Sequence, residues 1–183
     1  MKKNWILIGI LALVIGGIVL FGGLRIQSVD EYYLEHLEDI RPDSDTVTLE
    51  IRCDTVLANW ENLDPALRSP EFVPSDGTVL KKTEYVLREG DTVWDVLSRA
   101  VRRNEIQIET LGSKRKTGGT VYIKGMHYLY EYSCGPLSGW MYRVNGEFPG
   151  VGCSEYRLKD GDVIEWVYSC DLGHDVGDHW SED

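Results

Sequence analysis

Between Cys134 and Gly173 two turn signals cut an aromatic, cysteine-bearing stretch into short strands, and this restricts the fold more tightly than any other part of the chain. In Trp140-Met141-Tyr142-Arg143-Val144 successive side chains fall on opposite faces of an extended backbone, and Asn145-Gly146 supplies the turn a hairpin needs. Ile164, Trp166 and Tyr168 repeat the alternation after a second turn, Lys159-Asp160-Gly161-Asp162. The question this unit raises is whether its rings form a core or a binding face.

The 183-residue chain has room for one ordinary domain and an appendage. The appendage is the uncharged run Trp5 to Leu24. As a helix rising ~1.5 Å per residue, such a run spans the ~30 Å hydrocarbon layer of a bilayer. Lys2 and Lys3 precede it and Arg25 follows, which places the N-terminus in the cytoplasm and the rest of the chain outside. A cleaved signal peptide fits less well, because Leu20 and Phe21 stand where a small residue is needed upstream of a cleavage site. No cysteine closes the run, so a lipoprotein is not expected. The expectation is an uncleaved, single-pass signal anchor in the cytoplasmic membrane.

Beyond the anchor the chain carries 16 basic against 30 acidic residues, a net charge of −14. Phosphate binding depends on clustered lysine and arginine, so nucleic acid is excluded as a partner. Such a charge keeps an outer domain soluble. Lys114-Arg115-Lys116 lies between glycines and reads as a solvated loop.

Cys53, Cys134, Cys153 and Cys170 are an even number in a compartment that permits disulfides, and three pairings are open. One bridge between neighbouring late cysteines would stabilise the domain by about 3 kcal/mol. None belongs to a C-x-x-C pair, which argues against structural zinc, and a catalytic thiol is the minority reading.

After the anchor, Tyr33, Leu37 and Ile40 share one face of a juxtamembrane stalk helix, ended by Pro42 and Asp43. Val47, Leu49 and Ile51 alternate with polar residues as a first strand. From Asn59 to Gly77 the pattern lapses into a proline-punctuated loop, and a strand resumes over Val79 to Leu87. Val93, Val96, Leu97, Ala100 and Val101 then form the apolar stripe of a helix, with Thr92 and Asp95 as a capping box and Asn104 at the far end. Asp95 and Arg99 are spaced to pair on its outer face. Short strands are expected near Ile106 to Ile108 and from Val121 to Ile123 onward, and the run Tyr128 to Tyr132 leads into Cys134. His174, Asp175, Asp178 and His179 could gather a cation only within a rigid frame, which an acidic tail does not supply.

Glu84 to Asp91 and Glu155 to Asp162 share Glu, Tyr, Leu, Gly and Asp at the same offsets. The simplest reading is one turn used twice: glycine allows a positive φ and aspartate bonds the amides around it. The order strand, strand, helix, then further strands gives an α+β class: an N-terminal transmembrane helix, then a β-grasp-like domain with one helix packed on a small mixed sheet. The chain divides into a cytoplasmic tip (1–4), anchor (5–24), stalk (25–44), outer domain (45–173, long loop 59–77) and acidic tail (174–183).

Gly90-Asp91-Thr92-Val93, Gly139-Trp140-Met141-Tyr142, Val144-Asn145-Gly146 and the stretch Tyr156 to Tyr168 with its core LKDGDVIEW resemble bacterial domains related to the C-terminal β-domain of the cobalamin carriers transcobalamin and intrinsic factor. The resemblance covers roughly Val86 to Tyr168. It implies a β-grasp-like domain outside the membrane, in some members attached to corrinoid capture. In the carriers a helical domain completes the cobalamin site, and this chain has no helical barrel.

Two functions follow as expectations. The first is an anchored extracytoplasmic module that binds a small molecule, with cobalamin or another corrinoid as ligand and not as cofactor. Trp140, Tyr142, Trp166 and Tyr168 would form its aromatic platform, unless the same rings are core beneath the helix. The second is a structural or protein-interaction domain of the cell surface. An enzyme is not expected, since no nucleophile triad, metal-helix motif or phosphate-cradling loop is present.

Overall fold

The computed structural model describes residues 39–112 and 120–178. The span expected at 5–24, nearly all of the stalk face, the Lys114-Arg115-Lys116 loop and the last five residues lie outside the described residues. Of the expected stalk, residues 39–44 are described: Asp39 and Ile40 are not helical, and Arg41 to Ser44 form a turn. Among the described residues no helix is long and apolar enough to cross a membrane. The architecture below belongs to the unit Ile40–Asp183.

The class is mixed α+β. Seven strands form two sheets: β1 (Thr46–Arg52), β2 (Thr78–Val86), β6 (Gly139–Val144) and β7 (Val163–Ser169) in one, and β3 (Ile108–Leu111), β4 (Tyr122–Met126) and β5 (Leu129–Tyr130) in the other. The larger sheet runs β2-β1-β7-β6, with β1 and β7 parallel at its centre and both outer pairs antiparallel. Leu49 lies opposite Ile164 and Ile51 opposite Trp166, while Trp166 and Tyr168 in turn face Tyr142 and Trp140. Paired residues share a face, so these side chains point the same way. The buried stripe of helix α2 (Val93–Arg103) joins them in one core. The other face is polar, with Arg143 forking onto Glu165 through two bonds of 2.9 Å.

The helix begins as its sequence dictates. The Thr92 hydroxyl accepts from the Asp95 amide, and the Asp95 carboxylate accepts from the Thr92 amide at 2.9 Å. At the far end the Asn104 side-chain amide donates to the Ala100 carbonyl at 2.8 Å. A short helix α1 (Thr55–Ala58) leads into the stretch read as an irregular loop, and 3-10 turns at Trp60–Asn62 and Pro65–Leu67 organise it. Leu63 and Val73 from that stretch are buried in the core, so it is packed structure.

The repeated turn is used twice. Asp91 accepts from the Arg88 amide at 2.9 Å and Asp162 from the Lys159 amide at 2.8 Å, with Gly90 and Gly161 at φ of 77° and 82°. The two turns adjoin, since the Leu158 amide donates to the Asp91 carbonyl at 3.0 Å. One turn leads into α2 and the other into β7, which fixes the helix over the sheet.

A candidate binding cleft along strand β6

Strand β6 is the outer strand on one side of the larger sheet. The Asn145 amide donates to the Val163 carbonyl, and antiparallel pairing alternates, so Arg143, Met141 and Gly139 make the ladder bonds to β7. The N–H and C=O groups of Trp140 and Tyr142 therefore point away from the sheet. Among the described residues they have no hydrogen-bond partner. The open edge is closed at both ends: Val144 and Glu147 exchange backbone bonds around the Asn145-Gly146 turn, and the Tyr132 amide donates to the Ser138 carbonyl.

The rings behave differently from an exposed platform. Trp140, Trp166 and Tyr168 are only 8 %, 2 % and 0 % exposed. The Trp140 indole donates to the Leu129 carbonyl at 2.8 Å and meets Tyr168 edge to face at 5.2 Å. The Tyr168 hydroxyl donates to the Tyr130 carbonyl at 2.6 Å. These two rings thus tie β5 of the small sheet to the large one, and buried rings with satisfied polar tips are structural. Tyr142 is half-buried, leans on Trp166 at 5.3 Å and donates from its hydroxyl to the Val151 carbonyl at 2.7 Å. Trp166 stands apart: its buried Nε1–H has no acceptor among the described residues. A buried donor left unpaired costs about 1–3 kcal/mol, so the fold tolerates this one at a price in stability.

Three hollows meet along the Trp140 to Tyr142 edge. One of about 180 Å³ lies between β4 and β6, lined by Val121, Ile123, Trp140, Tyr142, Val151 and Trp166 among others. A second, about 290 Å³, is bordered by Tyr122, Glu131, Leu137, Trp140 and Leu172. The third, about 280 Å³, lies between Met141 and Tyr142 and the Phe148 to Val151 arm. Gly152 lets that arm approach β4, because a Cβ there would stand 2.1 Å from the Thr120 methyl carbon. Burial pushes the Tyr122 phenol up to about 12, with the Glu131 carboxylate adding to the shift, and raises the Tyr142 phenol as well. Burial thus favours the neutral, hydrogen-bonding form of Tyr122 and Tyr142.

Sequence reasoning reached Trp140, Tyr142 and Trp166 but missed Tyr122, Leu137, Val151 and Leu172. All four are exposed, and they come from loops and the small sheet. The Pro149-Gly150-Val151-Gly152 run just beyond the hairpin turn was the available signal.

The disulfides expected among Cys53, Cys134, Cys153 and Cys170 do not form; all four are free thiols. Cys53 ends β1 inside the core, and the Cys153 thiol turns to the Val121 carbonyl at 3.3 Å. Cys134 and Cys170 are neighbours that meet as hydrogen-bonding thiols, Cys134 also reaching the Asn59 carbonyl and Cys170 the Thr55 hydroxyl. Burial pushes the Cys53, Cys153 and Cys170 thiols up to about 12.

Elsewhere polar clusters satisfy themselves. On the opposite sheet face Arg52 binds Asp54 at 2.9 Å and Arg143 binds Glu165, which leaves the hollow between them internally neutralised. Asp175 accepts from the Ser169 hydroxyl and the Cys170 amide, so it braces the end of β7. His179 lies outside the described residues, which hold no group arranged to bind a metal.

Residues 90–169 match the model of a family described as a domain of unknown function, DUF4430. The matched stretch carries α2, β3 to β7 and every wall of the three hollows except Leu172 and Asp178. Strands β1 and β2 lie outside it. No curated protein matches the chain.

Proposed function

We propose that this chain is a binding module, held at the outer face of the cytoplasmic membrane by residues 5–24, that takes its ligand in the cleft along β6. The observation that carries this reading is the coincidence of apolar walls, an open strand edge and the unpartnered Trp166 Nε1–H. Ligand sites combine an apolar lining with a few convergent polar groups, and this cleft has that composition. The sheet order with its parallel centre and single crossing helix is read as β-grasp-like. The resemblance over Val86 to Tyr168, which overlaps the DUF4430 match, makes a corrinoid the candidate small molecule. Each hollow is smaller than a drug-sized pocket of roughly 300–1,000 Å³, so such a ligand would lay one edge across several hollows at once.

Equilibrium dialysis of the full chain in mild detergent against cyanocobalamin tests this. The expected result is retention with a Kd at or below about 100 µM, weakened about tenfold by Tyr142→Ala, which removes one wall ring. No retention at that concentration sinks the free-standing corrinoid reading. A second reading, a protein-interaction domain of the cell surface, is favoured by the bare backbone edge of Trp140 and Tyr142.

A further inference from the structure

We propose that the β6 edge is a docking site for an extended polypeptide segment, apolar at alternate positions and flanked by lysine or arginine, which adds to β6 as a further strand. The inference rests on the second reading above and names its partner. An unpaired strand edge is a template for another strand, since backbone N–H and C=O groups regain partners there. Natural proteins blunt such edges with charge, proline or a covering loop. Here the two ends of the edge are closed, and among the described residues its middle has no hydrogen-bond partner, which limits the contact to the four outward groups of Trp140 and Tyr142.

The surroundings are those of an interface. Nine large apolar or aromatic side chains are exposed among the described residues, and five of them (Tyr122, Tyr132, Leu137, Val151 and Leu172) border the hollows along this edge. Apolar exposure concentrated at one place marks an interaction surface. Alternate side chains of an added strand would enter the hollows on either side of its backbone. Among the described residues the lining is one-sided in charge: Glu131 and the buried Asp178 line the hollows, and no lysine or arginine lines any of the three. A partner with basic flanks is complementary to it.

The test uses the full chain in mild detergent and a synthetic peptide of about ten residues, alternating valine and threonine with lysines at both ends. Amide hydrogen exchange is followed by nuclear magnetic resonance. Docking predicts saturable binding below about 1 mM and at least about tenfold slower exchange of the Trp140 and Tyr142 amides. The same peptide N-methylated at alternate amides should not bind, and glutamate in place of the lysines should weaken binding about tenfold or more.

Absence of binding at about 1 mM overturns the proposal, as does binding without slowing of those two amides. Slow exchange of both amides in the chain alone, lost on dilution, assigns the edge to a second copy; the same slowing at every concentration assigns it to a segment of this chain. Either outcome also overturns it. Cyanocobalamin dialysis separates the two levels of failure: retained corrinoid with no peptide binding removes this inference and leaves the binding module standing.

Discussion

Trp166 and Tyr142 are partners in one ring pair, yet only one of them has a satisfied polar tip. The Tyr142 hydroxyl spans to the Val151 carbonyl, whereas the Trp166 indole has no acceptor among the described residues. Their spacing along β6 and β7 was legible because period-two alternation fixes which side chains share a face. Which tip would remain unpaired was not, since that depends on how loops from distant parts of the chain close over the sheet. His127 is a second residue set by context. It adopts a left-handed backbone at φ 50°, and burial holds its imidazole below the ordinary value of 6.5, a backbone bond to Glu71 opposing only in part. The folded chain thus resists a proton that the unfolded chain accepts, so stability present above pH 6.5 is lost as the pH falls below it. Melting temperature should fall between about pH 7.5 and about pH 5.5, and His127→Asn, whose side chain tolerates the same backbone, should flatten that slope. Asp76 and Glu109, both lowered, lose their contribution only in the carboxylate range near pH 4, outside this window. Equal slopes in the two proteins would remove His127 as the cause.

Among the elements, α2 was the most legible. Its stripe, its capping box and its closing asparagine are local signals, and each is found in place. Thr92→Ala deletes one cap acceptor and should cost about 1 kcal/mol, read as a lower urea midpoint with an unchanged slope. A loss near zero would mean that the Asp91 turn alone sets the helix start. Arg99 shows the limit of local reading: the four-residue spacing points to Asp95, while its guanidinium also reaches Asp91 at 2.6 Å across the turn. Helix α1 was missed because four residues carry too little periodicity to register. It is held from outside, by the Thr55 hydroxyl donating to the Tyr168 carbonyl. Within the Tyr128 to Tyr132 run only Leu129 and Tyr130 pair as a strand. Tyr128 and Tyr132 have φ of 62° and 68°, so the backbone turns on either side.

At the scale of the whole molecule, the cysteines distinguish a core from a scaffold of bridges. Four thiols, three of them buried, make the fold depend on packing and hydrogen bonds within Ile40–Asp183. Moving a thiol from 9.0 to about 12 cuts its thiolate fraction about a thousandfold, so Cys53 and Cys153 should resist iodoacetamide in the native chain at pH 8. Mass spectrometry should find them alkylated only after denaturation, in step with global unfolding. Rapid native labelling of both would show that the core opens locally around them.

By itself the amino-acid sequence determined the strand alternation, the capped helix and the twice-used turn, each written within a few neighbouring residues, and the acidic character of the chain beyond Arg25. Tertiary structure alone decided that Trp140, Trp166 and Tyr168 are covered, that the cysteines stay apart or meet only as thiols, and that the open edge lies at Trp140 and Tyr142. Alternation defines two faces without saying which is covered, and a disulfide requires a distance that composition does not contain. The aromatic unit from Cys134 to Gly173 is therefore both core and cleft, divided between them by what packs against each side of β6.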